Sequence, residues 1–97
     1  MSYGLAPEQV FERVVAVARG LGWTIVAAVP EEGRVEATDE TFWFGFTDDI
    51  VIRIRSDPQG SRIDIRSTSR VGVSDLGVNA ARVQAFIDKL IEGSAAQ

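Results

Sequence analysis

The chain has 97 residues, of which 45% are hydrophobic and 25% are charged, a composition typical of one globular domain. It contains neither Cys nor His, which excludes disulfides, thiolate zinc sites, cysteine nucleophiles and the Ser-His-Asp constellation. The net charge of −4 argues against a non-specific nucleic-acid binder, because such proteins bind by neutralising phosphates. No apolar run approaches the roughly 18 residues of a membrane span, and no secretory signal opens the sequence.

The first predicted element is a helix at about 7–21. Pro7 suits the first turn of a helix, where its missing N–H costs nothing, and Gly20 and Gly22 are helix-ending residues. Apolar residues recur at helical spacing between these limits, so one face of the helix is expected to be buried. The members of that face are Val10, Phe11, Val14, Val15, Ala18 and Leu21.

Four strands are predicted to follow. Residues 23–29 are rich in β-branched side chains, and a turn at 30–33 leads to an alternating segment at 34–38. The third and fourth strands show the clearest alternation, with isoleucines on one face and mostly charged side chains on the other. Their isoleucines are Ile50, Ile52 and Ile54 in the third strand and Ile63 and Ile65 in the fourth.

A second helix is predicted at about 77–92, with an apolar stripe that includes Phe86 and Leu90, and a frayed tail at 93–97. The whole chain, 1–97, is then a single domain with its core at about 5–92. Four strands joined by short turns favour an antiparallel meander, and two amphipathic helices can cover one of its faces. The predicted fold is therefore α+β: a two-layer, helix-grip-like sandwich with both helices on the isoleucine face.

The aromatic and acidic segment at 42–49 has three interpretations. The first is a tight turn at Thr47, Asp48 and Asp49, because Asp side chains bond nearby backbone amides. The second is an exposed interaction surface in which Trp43 and Phe44 lie beside the two acidic residues. The third, a catalytic carboxylate pair, is disfavoured because neighbours in a strand point to opposite faces.

The segment 69–82 contains the candidate ligand-binding residues Arg70, Asp75, Asn79 and Arg82. One interpretation is a structural latch, in which Arg70 pairs with Asp75 and Asn79 braces the loop. The other is an anion pocket, with both arginines beside the N-terminus of the second helix. Asp75 would compete with an anion for the same arginines, and the sequence leaves both interpretations open.

Arginines also dominate the outer face of the predicted sheet. Cross-strand charge pairing, for example with Glu36 and Asp64, explains them without any ligand, whereas an acidic partner or a lipid headgroup surface would use them for binding. The arginines are Arg53, Arg55, Arg62 and Arg66.

Four sequence blocks, in order, resemble the bacterial and plastid family called domain of unknown function 1499. They are GWTIV (22–26), GRVEAT (33–38), FWFGFTDDIVIR (42–53) and STSRVGVSDLGVN (67–79). No activity is established for that family, so the resemblance implies no catalytic residues. It does imply an envelope or membrane setting, since some members carry transmembrane segments ahead of this domain. Other members carry an upstream Cys-containing segment that is not found in this chain.

Residues and resemblance together predict a non-enzymatic binding or scaffold module associated with a bacterial membrane or envelope protein. The alternative is a small-ligand or anion-binding protein, or an enzyme, that uses the segment 69–82. We expect no cofactor, no metal and no nucleic-acid partner, and a protein partner for the module. Membrane association is expected only through segments outside this chain, which would be a monomer or weak dimer. Two settings remain open: a soluble domain excised from a membrane-associated protein, or a cytoplasmic protein.

Overall fold

The structure is a computed structural model that describes residues 2–40, 47–69 and 76–95. It contains five strands and two long helices, with a short 3₁₀ turn at Pro30–Glu32. The strands are β1 (Ser2–Tyr3), β2 (Thr24–Val29), β3 (Arg34–Glu40), β4 (Thr47–Asp57) and β5 (Gly60–Ser69). The helices are α1 (Pro7–Gly20) and α2 (Leu76–Ala95).

The sheet is antiparallel throughout, with the spatial order β1-β5-β4-β3-β2. The predicted meander is confirmed in β2 to β5, but the prediction of four strands is wrong by one. The additional strand, β1, has only two residues, and its Ser2 and Tyr3 pair with Arg62 and Ser61 of β5. A pair of residues is too short to show alternation, so the sequence pattern carries no signal for it.

Helix α1 forms where the sequence predicts it. Pro7 occupies the first turn, Glu8 complements the positive end of the helix, and Gly22 follows the helix with a φ of 86°. Val10, Val14 and Ala18, spaced four residues apart, are fully buried against the sheet. Both helices pack on the isoleucine face, with α1 over β2 to β5 and α2 beside α1 and over β5.

The core lies between this helix layer and the sheet. It contains Val14, Phe86, Leu90 and the predicted isoleucines of β4 and β5, of which Ile65 is half-buried and the others are buried. The ring of Trp23, just before β2, stacks on Phe86 with centroids 5.4 Å apart, and so joins the start of the sheet to α2. The α+β sandwich with both helices on one face is thus confirmed.

Two element boundaries differ from the predictions. Thr47, Asp48 and Asp49 form the first residues of β4, so the predicted turn at these positions is wrong. They pair in register with Glu40, Asp39 and Thr38 of β3, and this ladder extends the strand beyond the isoleucines. Helix α2 continues to Ala95, so 93–95 belong to the helix and not to the predicted frayed tail.

Candidate functional site

The helix-facing side of the sheet changes from apolar to polar along the strands. Ile52 lies opposite Val35 and Ile65, whereas two pairings further along, Asp48 lies opposite Asp39 and Ser69. The polar end is covered by α2, which contributes Asn79 and Arg82. We call this group the Arg82 network; its members are Asp39, Asp48, Ser67, Ser69, Asn79 and Arg82.

Arg82 is the centre of the network, and its side chain is only 8% exposed. Its Nε donates to Oδ2 of Asp39 at 3.1 Å, and its Nη2 lies 2.8 Å from Oδ2 of Asp48. Its Nη1 donates to Oγ of Ser67 at 3.1 Å and to Oδ1 of Asn79 at 2.9 Å. The guanidinium therefore contacts three strands, β3, β4 and β5, and a neighbouring turn of its own helix, and it fixes α2 to the sheet.

The Asp39–Asp48 pair explains why an arginine is needed here. The two carboxylates face one another across β3 and β4, and like charges directly opposite in a ladder repel. Asp48 is almost fully buried, and a buried carboxylate is costly without a charged partner. Arg82 lies between them and compensates both charges, so the strands can pair to their ends.

Asn79 completes the network on the β5 side. Its Oδ1 accepts from Oγ of Ser67 at 2.6 Å, and its Nδ2 donates to Oγ of Ser69 at 3.2 Å. Among the described residues, no buried side-chain nitrogen or oxygen is without a hydrogen-bond partner. A network whose buried groups are satisfied in this way rigidifies the fold.

The structure brings together only part of the predicted ligand site. Asn79 and Arg82 are in direct contact, while Arg70 and Asp75 lie outside the described residues, so the latch between them stays a prediction. Asp48, predicted on an interaction surface, is instead buried in the Arg82 network, because β4 starts earlier than expected.

Sequence reasoning missed three members of the network: Asp39, Ser67 and Ser69. The signal that could have found them is the alternation of side chains along a strand. Each of the three lies an even number of positions from a core residue of the same strand, and therefore faces the helix side of the sheet. Asp39 is two residues after the buried Ala37, and Ser67 is two after Ile65. Extending the alternation past the apolar residues would have found all three.

The outer side of the sheet is a second candidate site, since both helices pack on the opposite side. Its central rows run across the strands: Arg55 opposite Arg62, then Arg53 opposite Asp64 and Arg34. In the next row, Arg66 lies opposite Val51. We call Arg53, Arg55, Arg62 and Arg66 the arginine face. All four are exposed, as the sequence predicts.

Ion pairing on this side is uneven. Arg34 has two acidic neighbours, with Nη2 at 2.7 Å from Glu32 and Nη1 at 3.0 Å from Glu36. The hydrogen bond to Glu32, together with that carboxylate's charge, raises the pKa of Arg34. Arg62 approaches Asp64 only loosely, at 3.8 Å, and both side chains are more than half exposed. Such a pair contributes little, because water screens it.

The remaining members of the arginine face are uncompensated. Arg53, Arg55 and Arg66 make no ion pair or side-chain hydrogen bond in the structure as described. Arg53 and Arg66 border a depression in the sheet surface, with Val51 and Asp64 also on its lining. Three exposed guanidinium groups thus lie on the side of the sheet opposite the helices.

Of the other residues predicted on an interaction surface, Trp43 and Phe44 lie outside the described residues. Asp49 is half-buried on the outer side of the sheet, opposite Thr38 and Thr68. Within the described ranges, no three acidic residues are placed to hold a metal ion together. No helix in those ranges has the length and apolarity to cross a bilayer.

Comparison with curated proteins finds no match to this sequence. A family model does match, over residues 1–90, which is nearly the whole chain. The matched region includes every strand and most of α2, and therefore both the Arg82 network and the arginine face. The chain belongs to the family described as protein of unknown function (DUF1499).

Proposed function

We propose that this domain is a non-enzymatic binding module that holds an acidic segment of a partner protein on its arginine face. The observation that carries the proposal is the set of three exposed arginines, Arg53, Arg55 and Arg66, without an acidic partner among the described residues. The Arg82 network, in contrast, is closed and serves stability.

The row formed by Arg55 and Arg62 supports this proposal. The two arginines are directly opposite in the β4–β5 ladder, an arrangement that is unfavourable for like charges. Asp64 offsets part of this repulsion through its loose contact with Arg62. A bound carboxylate would relieve the rest, so binding of an anion is favoured by the sheet's own geometry.

The charge distribution concentrates this attraction on one face. The rows from Arg55–Arg62 to Val51–Arg66 carry a net charge of +3, because five arginines lie there with only two carboxylates, while three further carboxylates of this side lie in the rows at the two ends of the sheet. The five arginines are Arg34, Arg53, Arg55, Arg62 and Arg66, the two carboxylates are Glu36 and Asp64, and those at the ends are Glu40, Asp49 and Asp57. Because the whole chain has a net charge of −4, the residues outside these central rows carry −7. An acidic segment is therefore attracted to the arginine face and repelled elsewhere, which orients it.

The chemistry of the face favours carboxylates in an extended chain. All its cations are arginines, whose planar guanidinium groups bind carboxylates in a bidentate manner. Arg53 and Arg55 are two residues apart on one strand, a distance of about 6.8 Å, which equals the repeat of same-side residues in an extended peptide. A broad anionic membrane is a poorer fit, because the net charge of −7 on the rest of the domain opposes its approach.

The partner belongs to a bacterial membrane or envelope assembly, the setting that the resemblance of the four sequence blocks implies. An enzyme or anion carrier that uses the segment 69–82 has less support, since Arg82 is occupied by two carboxylates of the domain itself.

A pair of matched double variants tests the proposal, with a fluorescent hexaglutamate peptide as the probe. Arg53→Gln with Arg55→Gln removes two charges from the arginine face, while Arg19→Gln with Lys89→Gln removes two exposed charges from the helix layer. We expect the first pair to weaken binding at least tenfold in fluorescence anisotropy and the second to change it less than twofold. An equal loss of peptide affinity in both double variants, or no binding of the peptide by the unmodified protein, would refute the proposal.

A further inference from the structure

Strand β5 has one edge that is only partly occupied. Along one side it pairs with β4 over its full length, from Gly60 to Ser69, without a shift in register. On the other side, the described strand partners are Ser2 and Tyr3 of β1, which lie opposite Arg62 and Ser61. From Asp64 to Ser69, this side of β5 has no strand beside it in the described ranges.

From this edge and the adjoining arginines, we infer that the partner's acidic segment binds as an extended strand alongside Asp64–Ser69 of β5. The inference rests on the proposed function and specifies how the segment is held. Main-chain hydrogen bonds to β5 would supply affinity, and carboxylates on the outer side of the added strand would contact the arginine face.

Strand β1 shows that this edge accepts an added strand. It is a two-residue antiparallel addition, held by pairing at Ser2 and Tyr3 rather than by a hairpin turn. Gly60 makes the approach possible, because a Cβ at that position would lie 2.5 Å from the carbonyl oxygen of Tyr3. A bound segment would continue the line of β1 along the same edge.

The opposite edge of the sheet is protected in a way that β5 is not. In β2 the register shifts between Ile25 and Ala27, and the side chain of Val26 is 63% exposed. Bulges of this kind twist an edge away from further pairing, and they are a common protection against strand addition. The segment TIVAAV of β2 also has no charge with which to select a partner. Within the described ranges, β5 between Asp64 and Ser69 is therefore the edge better suited to an added strand.

The arginines give this edge its selectivity. Arg66 lies on the outer side of β5, so a same-side residue of an added strand would have its Cβ about 5 Å away. The arginines of β4 are one strand further, about 10 Å from the added strand, and long side chains can span part of that distance. A segment with acidic residues at alternate positions would place all its carboxylates on this side.

The test uses an eight-residue parent peptide of alternating Glu and Thr, and three variants of that peptide. The first variant has the same composition with its four Glu residues grouped together. The other two keep the alternating sequence and carry backbone N-methyl groups, one at the odd-numbered positions and one at the even-numbered positions. We expect one N-methylated peptide to bind at least tenfold more weakly than the parent and the other to bind about as the parent does. The reason is that the backbone amides of alternate residues point to opposite edges of a strand, so only one of the two sets of amides faces β5.

Amide hydrogen exchange supplies the second measurement. We expect slower exchange between Asp64 and Ser69 when the alternating peptide is bound, and no such change with the weakly binding N-methylated peptide. If both N-methylated peptides and the grouped peptide bind as well as the parent, strand addition is wrong, while the arginine face remains the binding site. If neither the alternating peptide nor hexaglutamate binds, the proposed function itself fails.

Discussion

Replacing Arg82 by methionine is the most demanding test of the structure. The change keeps most of the aliphatic stem and removes the guanidinium that joins α2 to β3, β4 and β5. The side chain of Asp48 is 3% exposed and lies 2.8 Å from Arg82, so the substitution leaves a buried carboxylate without its cation. Breaking a buried ion pair in this way costs about 3–5 kcal/mol. Asp39 is 29% exposed and adds less, about 1 kcal/mol at most, because water screens it.

A loss of this size is a large share of the free energy of unfolding of a small domain, which is about 5–15 kcal/mol in total. At about 4–8 °C per kcal/mol, the melting temperature should fall by about 12 °C or more. Urea titration followed by circular dichroism measures the change directly. Lys89→Met is the matched control on the same helix, since the ion pair of Lys89 with Glu92, at 3.4 Å, joins two exposed side chains. That control should change the free energy of unfolding by less than about 0.5 kcal/mol.

A double-mutant cycle with Asp48→Asn separates pairing from packing. The neutral amide no longer requires a cation, so the double variant should lose at least about 2 kcal/mol less than the sum of the single losses. Additive losses, or a loss below about 1 kcal/mol for Arg82→Met alone, would show that Arg82 does not compensate Asp48 as the distances indicate.

Three further substitutions test the frame of the domain by the same urea titration. Ile52→Ala, at a side chain with 0% exposure, should cost about 2–5 kcal/mol, and a loss under about 1 kcal/mol would place Ile52 outside the core. Gly33→Ala should cost at least about 1–2 kcal/mol, because Gly33 has a φ of 62° and its new Cβ would collide with the carbonyl oxygen of Ile54; an unchanged midpoint would contradict that turn. Tyr3→Phe should cost about 0.5–1.5 kcal/mol, since the Tyr3 hydroxyl donates to the carbonyl oxygen of Leu90 at 3.2 Å, and a neutral result would mean that water replaces this bond.

Much of the fold could be predicted because two periodicities are strong in this sequence. The four-residue spacing of Val10, Val14 and Ala18 and the alternation of the isoleucines in β4 and β5 each indicate one buried face. Together they predict which side of the sheet the helices cover. Strand β1 could not be predicted, because its place depends on a distant pairing with β5 and not on a local pattern.

The two candidate sites differ in how far the sequence alone predicts them. The arginine face follows from alternation alone, since residues of one parity on β4 and β5 must share a side of the sheet. The Arg82 network does not, because Asp48 carries the composition of a turn, and only pairing with Asp39 shows that it lies in a strand. At Asp48 the local sequence favours a turn, whereas pairing with β3 places the residue in a strand. The pairing determines the structure, because Arg82 of α2 compensates the buried carboxylate.

The Arg82 network also bears on the order in which the domain folds. In an isolated β3–β4 pair, Asp39 and Asp48 repel each other, and the arginine that compensates them is supplied by α2, which follows all five strands in the sequence. During synthesis, all five strands are complete before α2 emerges, so we expect the acidic end of the hairpin to stay frayed until that helix docks. Substitutions at Arg82 should then act mainly on the unfolding rate, with φ-values near 0, whereas Ile52, at the apolar middle of the same strand, should slow folding itself.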